Sequence, residues 1–130
     1  MSDRAIILAH GELAAGLVSA VEQITGRGDR FIALSNAGLG SSEIAARLEA
    51  LVEETGVRVI FTDLPAGSCN FAAARLMRAL PDLIVVSGVN LPTLLHFATH
   101  DGPSLADDVA EAVARGAPAL RVATGASRGS

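Results

Sequence analysis

Short apolar runs alternate with longer segments of helical period along this chain, and the two periods define its elements. Arg4 to His10 reads as a first strand, built on Ala5-Ile6-Ile7-Leu8-Ala9. Leu13, Leu17, Val21 and Ile24 then recur at helix spacing, with Gly26 and Gly28 to close the helix. Arg30 to Ser35 predicts a second strand, followed by a turn at Asn36-Ala37-Gly38-Leu39-Gly40. A helix begins near Ser41, with Glu43 in its first turn and Ile44, Leu48, Leu51 and Val52 in one apolar stripe. A third strand, Val57 to Thr62, ends at Asp63, and Leu64-Pro65-Ala66-Gly67 forces a loop before a helix from Ser68 to Leu80. The expected core face of that helix is Ala73, Leu76, Met77 and Leu80.

Leu83 to Ser87 is apolar almost throughout, which predicts a strand that is central or covered on both sides. Asn90 is placed to cap a helix with Pro92 in its first turn, where a missing N–H costs nothing. A last helix, about Ser104 to Arg115, carries Leu105, Val109 and Val113 at four-residue steps, and Leu120 to Ala123 offers one more short strand. The alternation predicts a single α/β domain over residues 1–124: an open, mainly parallel sheet with helices on both faces, an α/β/α sandwich. The Gly/Ser-rich residues 125–130 are expected to form a disordered tail.

Composition narrows the function. Half of the 130 residues are apolar and 18% are charged, enough for one buried core. The formal charge is −4 and the ten arginines are scattered, so nucleic acid is not an expected partner. One cysteine, Cys69, makes no internal disulfide, which suits a reducing compartment, and the apolar stretch at the N-terminus is too short for a signal-peptide core or a membrane span. The expected location is the cytoplasm.

Ligands of open parallel sheets gather at the carboxyl ends of the strands, beside the point where strand order reverses. His10 ends the first strand, Asp63 ends the third, and Gly67 and Ser68 open the next helix. If strands one and three are neighbours, these residues share one rim. They suit phosphoryl transfer through a covalent histidine. A carboxylate bonded to one ring nitrogen fixes the tautomer and leaves the other nitrogen's lone pair facing the donor. N–H groups at a helix start, with a serine hydroxyl, can hold the phosphoryl oxygens without lysine or metal, and Ser68, Cys69 and Asn70 are placed to do so. Gly11 lets the chain turn tightly after the histidine. Taken singly, each residue also has a structural reading: His10 as a rim residue, Asp63 as a turn former, Ser68 as a helix cap.

Three blocks carry a resemblance. Ala5-Ile6-Ile7-Leu8-Ala9-His10-Gly11, Thr62-Asp63-Leu64-Pro65-Ala66-Gly67-Ser68 and Ser87-Gly88-Val89-Asn90-Leu91-Pro92-Thr93-Leu94-Leu95 resemble, in order and separation, the mannose/fructose-family enzyme IIA domain of the bacterial phosphoenolpyruvate-dependent sugar phosphotransferase system. The similarity runs to about Ala123. It implies that His10 accepts a phosphoryl group from the phosphocarrier protein HPr and passes it to an enzyme IIB. It implies too that Asp63 orients His10, that Ser68 and nearby N–H groups hold the phosphoryl oxygens, and that Gly88, Val89 and Asn90 shape the rim. No cofactor or metal is implied. No IIB domain lies within these residues, so a separate enzyme IIB is expected, with only an indirect link to a membrane sugar transporter. The family commonly forms homodimers that exchange a C-terminal strand, for which Leu120 to Ala123 is the matching segment. The chain departs from the family at Ala66, usually glycine, and at Cys69, usually proline, where the following order becomes Asn70-Phe71.

Other residues suggest rival chemistry. His96 and His100, four apart with Asp101 close by, form a possible metal pair of the kind a hydrolase would use. Cys69 lacks an evident partner base and reads as a small buried or rim residue, while Gly38 and Gly40 lack the Lys-Ser/Thr of a phosphate loop. The remaining alternatives are a regulatory or small-molecule binding module on the same fold and the phosphoryl-donor subunit of dihydroxyacetone kinase.

Overall fold

The computed structural model of the chain describes residues 3–126. Four strands, β1 (Ala5–Ala9), β2 (Phe31–Ser35), β3 (Val59–Thr62) and β4 (Ile84–Ser87), form one parallel sheet in the order β2-β1-β3-β4. Five α-helices connect and cover them: α1 (Leu13–Thr25), α2 (Ser41–Thr55), α3 (Ser68–Ala79), α4 (Leu91–Thr99) and α5 (Leu105–Gly116). The expected α/β/α sandwich is present.

Alternation along the strands divides the core in two. Ala5, Ile7, Ala9, Val59 and Phe61 face α1, α4 and α5, whereas Ile6, Leu8 and Ile60 face α2 and α3. β1 is therefore buried on both sides along its whole length. Phe31, Phe61 and Phe97 meet edge-on or tilted, with ring centroids 5.4–6.2 Å apart, and anchor the first layer. The Arg30 guanidinium, buried at the end of the sheet away from the strand carboxyl termini, lies 4.8 Å from the Phe97 ring centroid and donates to the carbonyls of Asp3 and Ala98.

Gly26 ends α1 in the left-handed conformation, and Asn90 and Ser104 cap α4 and α5 by accepting from the N–H groups of Thr93 and Asp107. Gly28 does not cap a helix but starts a short 3-10 turn, Gly28–Arg30.

β4 is an edge strand covered on both faces, as its unbroken apolar run predicts, with Ile84 and Val86 packed on one core and Val85 on the other. Two expectations need correction. The buried face of α3 is Cys69, Ala72, Ala73 and Leu76, with Leu80 packed against the same core, so of the expected face Met77 alone is exposed. Leu120 to Ala123 forms no strand in this chain: after a 3-10 turn at Ala117–Ala119 it lies off the sheet, with Leu120 and Val122 almost fully exposed. An extended segment needs a neighbouring strand to hydrogen-bond, and none of its own chain is beside it. The expected tail overlaps the described residues only at 125 and 126, which form a turn, and otherwise lies outside them.

Candidate functional site

The sheet order sets the site. The chain winds from β1 to β2 in one direction and from β3 to β4 in the other, so strand order reverses between β1 and β3. Leu8 pairs with Thr62 across these two strands, which brings the loops after them level with each other. His10 and Asp63, 53 positions apart, meet there.

Asp63 Oδ2 accepts two hydrogen bonds from His10, from the backbone N–H at 3.0 Å and from ring Nδ1 at 2.8 Å. An ionised carboxylate only accepts, so the proton of the neutral imidazole sits on Nδ1 and the lone pair on Nε2. The His10 side chain is 43% exposed and that of Asp63 only 9%. Burial raises the Asp63 carboxyl, but the hydrogen bonds and the ring of His10 outweigh it and hold the carboxyl below its ordinary range. The second oxygen, Oδ1, is buried and has no hydrogen-bond partner among the described residues.

Gly67 flanks the other edge of the ring. Its φ of +94° favours glycine, and a β-carbon there would sit 3.8 Å from His10 Cε1 and 3.9 Å from Nε2. The next residues, Ser68, Cys69 and Asn70, are the first turn of α3, whose N–H groups have no intrahelical acceptor. The start of a helix beside Nε2 is a place for anionic oxygens. Cys69 is fully buried, with Sγ 3.9 Å from Nδ1; burial, and then the charge of Asp63, push its thiol up, which disfavours the thiolate.

The other residues singled out in the sequence support this pair from a distance. The Asn70 side chain braces the loop, accepting from Thr62 Oγ1 at 3.2 Å and donating to the Pro65 carbonyl at 3.0 Å, so its amide is not directed to a phosphoryl group. Gly88 has φ +73°, and the Val89 N–H donates to the Thr62 carbonyl, tying the end of β4 to β3. Asn90 accepts from the Thr93 N–H and hydroxyl and donates to the Gly116 carbonyl. It is therefore a cap and a clamp between helices, not a site side chain.

Two contributors were missed in the sequence. Asn36 Oδ1 accepts from the Gly11 N–H at 3.0 Å, and the Ser35 hydroxyl donates to the Gly11 carbonyl, so the end of β2 clamps the turn after His10. Polar residues at the end of a strand flanking β1 are the signal that could have found them, once the strand order is known.

A groove of about 910 Å³ lies elsewhere, beside His96, His100, Asp107 and Glu111. This groove is lined by α4, α5 and the segment between them, apart from His10 and Asp63. The two imidazoles are stacked, with centroids 3.8 Å apart, and His100 Nδ1 is 3.1 Å from the His96 carbonyl. Among the described residues, the group of three ligand side chains that converges is instead His10, Asp63 and Cys69. Among the described residues no helix is long and apolar enough to cross a membrane.

Known proteins resemble this chain in sequence and fold. The family described as PTS system fructose IIA component matches residues 4–114. The sorbose-specific EIIA component of the Klebsiella pneumoniae PTS is 33% identical over 109 residues, covering 82% of this chain and 81% of that protein. The mannose/sorbose-specific IIA subunit of the phosphotransferase system from Enterococcus faecalis has the same fold, with a TM-score of 0.82 at 24% identity over 95% of this chain and 96% of that one. The phosphotransferase system component EIIA from Streptococcus agalactiae gives a TM-score of 0.81 at 22% identity, over 92% and 95% of the two chains.

Proposed function

We propose, from the premise that this chain belongs to the family of PTS fructose IIA components and is a phosphoryl carrier, that the group it carries rides on Nε2 of His10. The observation that supports this most is the double acceptance by Asp63 Oδ2, at 2.8 and 3.0 Å, of a histidine whose side chain is half-exposed.

The Nε2 lone pair attacks the phosphorus of phosphohistidine on HPr. The new N–P bond forms as the donor's N–P bond breaks, and the departing electron pair returns to the donor ring. His10 gains cationic character as this happens, and the Asp63 carboxylate behind Nδ1 stabilises it. Donor and acceptor bonds are chemically alike, so the protein contributes position and electrostatics and needs no metal for the transfer. Ser68 and the N–H groups opening α3 hold the phosphoryl oxygens, Gly67 leaves them room, and Gly11 keeps the turn after His10 tight. The same reaction in reverse sense delivers the group to a histidine of an enzyme IIB.

Further parts of this reading are a cytoplasmic location, where HPr is found, and a homodimer. The open edge of β4 and the exposed Leu120 and Val122 support exchange of the C-terminal segment between two copies. Incubation with phosphoenolpyruvate, enzyme I and HPr tests the carrier site: a mass gain of one phosphoryl group is expected, stable to alkali, mapped to His10 and lost in His10→Ala. A modified residue elsewhere, or a full gain in His10→Ala, refutes it.

A further inference from the structure

Phosphoryl transfer accounts for one oxygen of Asp63 and leaves the other without a role. Oδ1 is buried and unpaired, on a side chain that is 91% buried, and an orphaned carboxylate oxygen is costly in such a place. The Cys69 thiol, with no solvent exposure, lies on the same side of the imidazole, Sγ being 3.9 Å from Nδ1. One ligand atom each from His10, Asp63 and Cys69 falls within 4.8 Å of the other two.

Imidazole nitrogen, thiolate and carboxylate are the donors zinc takes in tetrahedral sites, at about 2.0–2.1, 2.3 and 2.0–2.2 Å. Ligand atoms around such an ion stand roughly 3.2–3.6 Å apart. The 3.9 Å between sulfur and nitrogen and the 2.8 Å between nitrogen and Asp63 Oδ2 bracket that spacing, and all three ligand atoms fall within 4.8 Å of one another. Side-chain adjustments on the order of an ångström close such a set around an ion. His10 is the half-exposed member of the cluster, the Asp63 side chain being largely buried and Cys69 fully so.

We propose that His10 Nδ1, Asp63 and Cys69 Sγ form a binding site for a thiophilic divalent cation, Zn²⁺ in the first instance, with water as the fourth ligand. Binding forms the Zn–S bond with release of the thiol proton, and it moves the ring proton from Nδ1 to Nε2. That shift protonates the nitrogen that must attack phosphorus, so the ion and the phosphoryl group exclude each other. The exclusion rests on the carrier reading above; the ion site does not.

The test uses chelator-treated protein, Zn²⁺ followed by calorimetry, and Co²⁺ followed by absorption. One ion per chain is expected, with a near-ultraviolet thiolate-to-cobalt band. Cys69→Ser abolishes the band and weakens Zn²⁺ binding by about 100-fold or more, since even groups behind a ligand are worth about 10- to 100-fold. An ion held by His96 and His100 gives no such band. Absence of the band, or equal affinity in Cys69→Ser, overturns the site. Should Cys69→Ser fail to fold, His10→Gln, at a half-exposed position, makes the same comparison. Exclusion is read with phospho-HPr freed of enzyme I. Saturating Zn²⁺ stops phosphoryl uptake, a chelator restores it, and Cys69→Ser needs correspondingly more Zn²⁺. Undiminished uptake with the site loaded overturns the exclusion. The two failures are distinct: a missing band removes the ion site and leaves the metal-free mass gain standing, whereas a missing mass gain without metal removes the carrier site and leaves the band.

Discussion

Replacing Asp63 by Asn removes one charge and changes one atom at the centre of the site. In the native protein a single carboxylate oxygen receives both His10 donors, at 2.8 and 3.0 Å, from a side chain that is 9% exposed. Hydrogen bonds to a charged partner are worth about 1.5–3 kcal/mol net, and the ring bond is the one that strengthens as the imidazole becomes cationic. Loss of that much stabilisation slows transfer roughly 10- to 150-fold. The amide adds a second effect in the same direction. Its N–H₂ group can donate to Nδ1, which favours the tautomer with the proton on Nε2 and withdraws the attacking lone pair. The rate to measure is single-turnover uptake from phospho-HPr by rapid quench, with circular dichroism confirming the fold. An unchanged rate in a folded Asp63→Asn protein would refute the orienting role.

The other predictions concern the surroundings of that pair. Gly67→Ala must hold φ near +94° with a side chain, at a cost on the order of 1–3 kcal/mol, and should lower both the melting temperature and the uptake rate; an unaffected melting temperature would show that the loop does not need glycine. Ser68→Ala should slow uptake less than Asp63→Asn in the same quench assay, because the backbone donors of α3 remain; equal losses would reverse the assigned roles. Asn90→Ala should destabilise by about 1–2 kcal/mol in urea through the lost cap and the lost bond to Gly116, and a rate loss as large as that of Asp63→Asn would return Asn90 to the site. Because the folded-state value of Asp63 is depressed, its stabilising contribution is fully present above the ordinary value of 3.8 and is lost as pH falls through the folded value; Asp63→Asn should flatten that acid limb of a stability–pH profile.

Much of this site was legible because it is local to strand ends. A run of five apolar residues before His10 and an apolar run before Asp63 place both at carboxyl termini of strands, and Asn90 with Pro92 marks a helix start with no tertiary information. What joins these pieces is strand order, which periodicity does not encode. The adjacency of β1 and β3 could only be posed as a condition. The clamp of Ser35 and Asn36 on Gly11 depends on β2 lying on the other side of β1, and the approach of Cys69 to Nδ1 depends on the angle at which α3 leaves the loop. Met77 shows a different limit: a stripe of four apolar positions can be drawn two ways on one helix, and packing against β3 and β4 selects the one that includes Cys69 and Ala72. Leu120 to Ala123 has strand-like alternation, yet a strand exists only beside a partner.

The central claim concerns which ring nitrogen is free, and nitrogen and phosphorus NMR of the ¹⁵N-histidine-labelled protein reads it directly. The resting protein should show His10 with its proton on Nδ1, and the phosphorylated protein should show phosphorus coupled to Nε2 with Nδ1 still protonated. Phosphorus coupled to Nδ1, or a resting ring protonated on Nε2, would contradict the account.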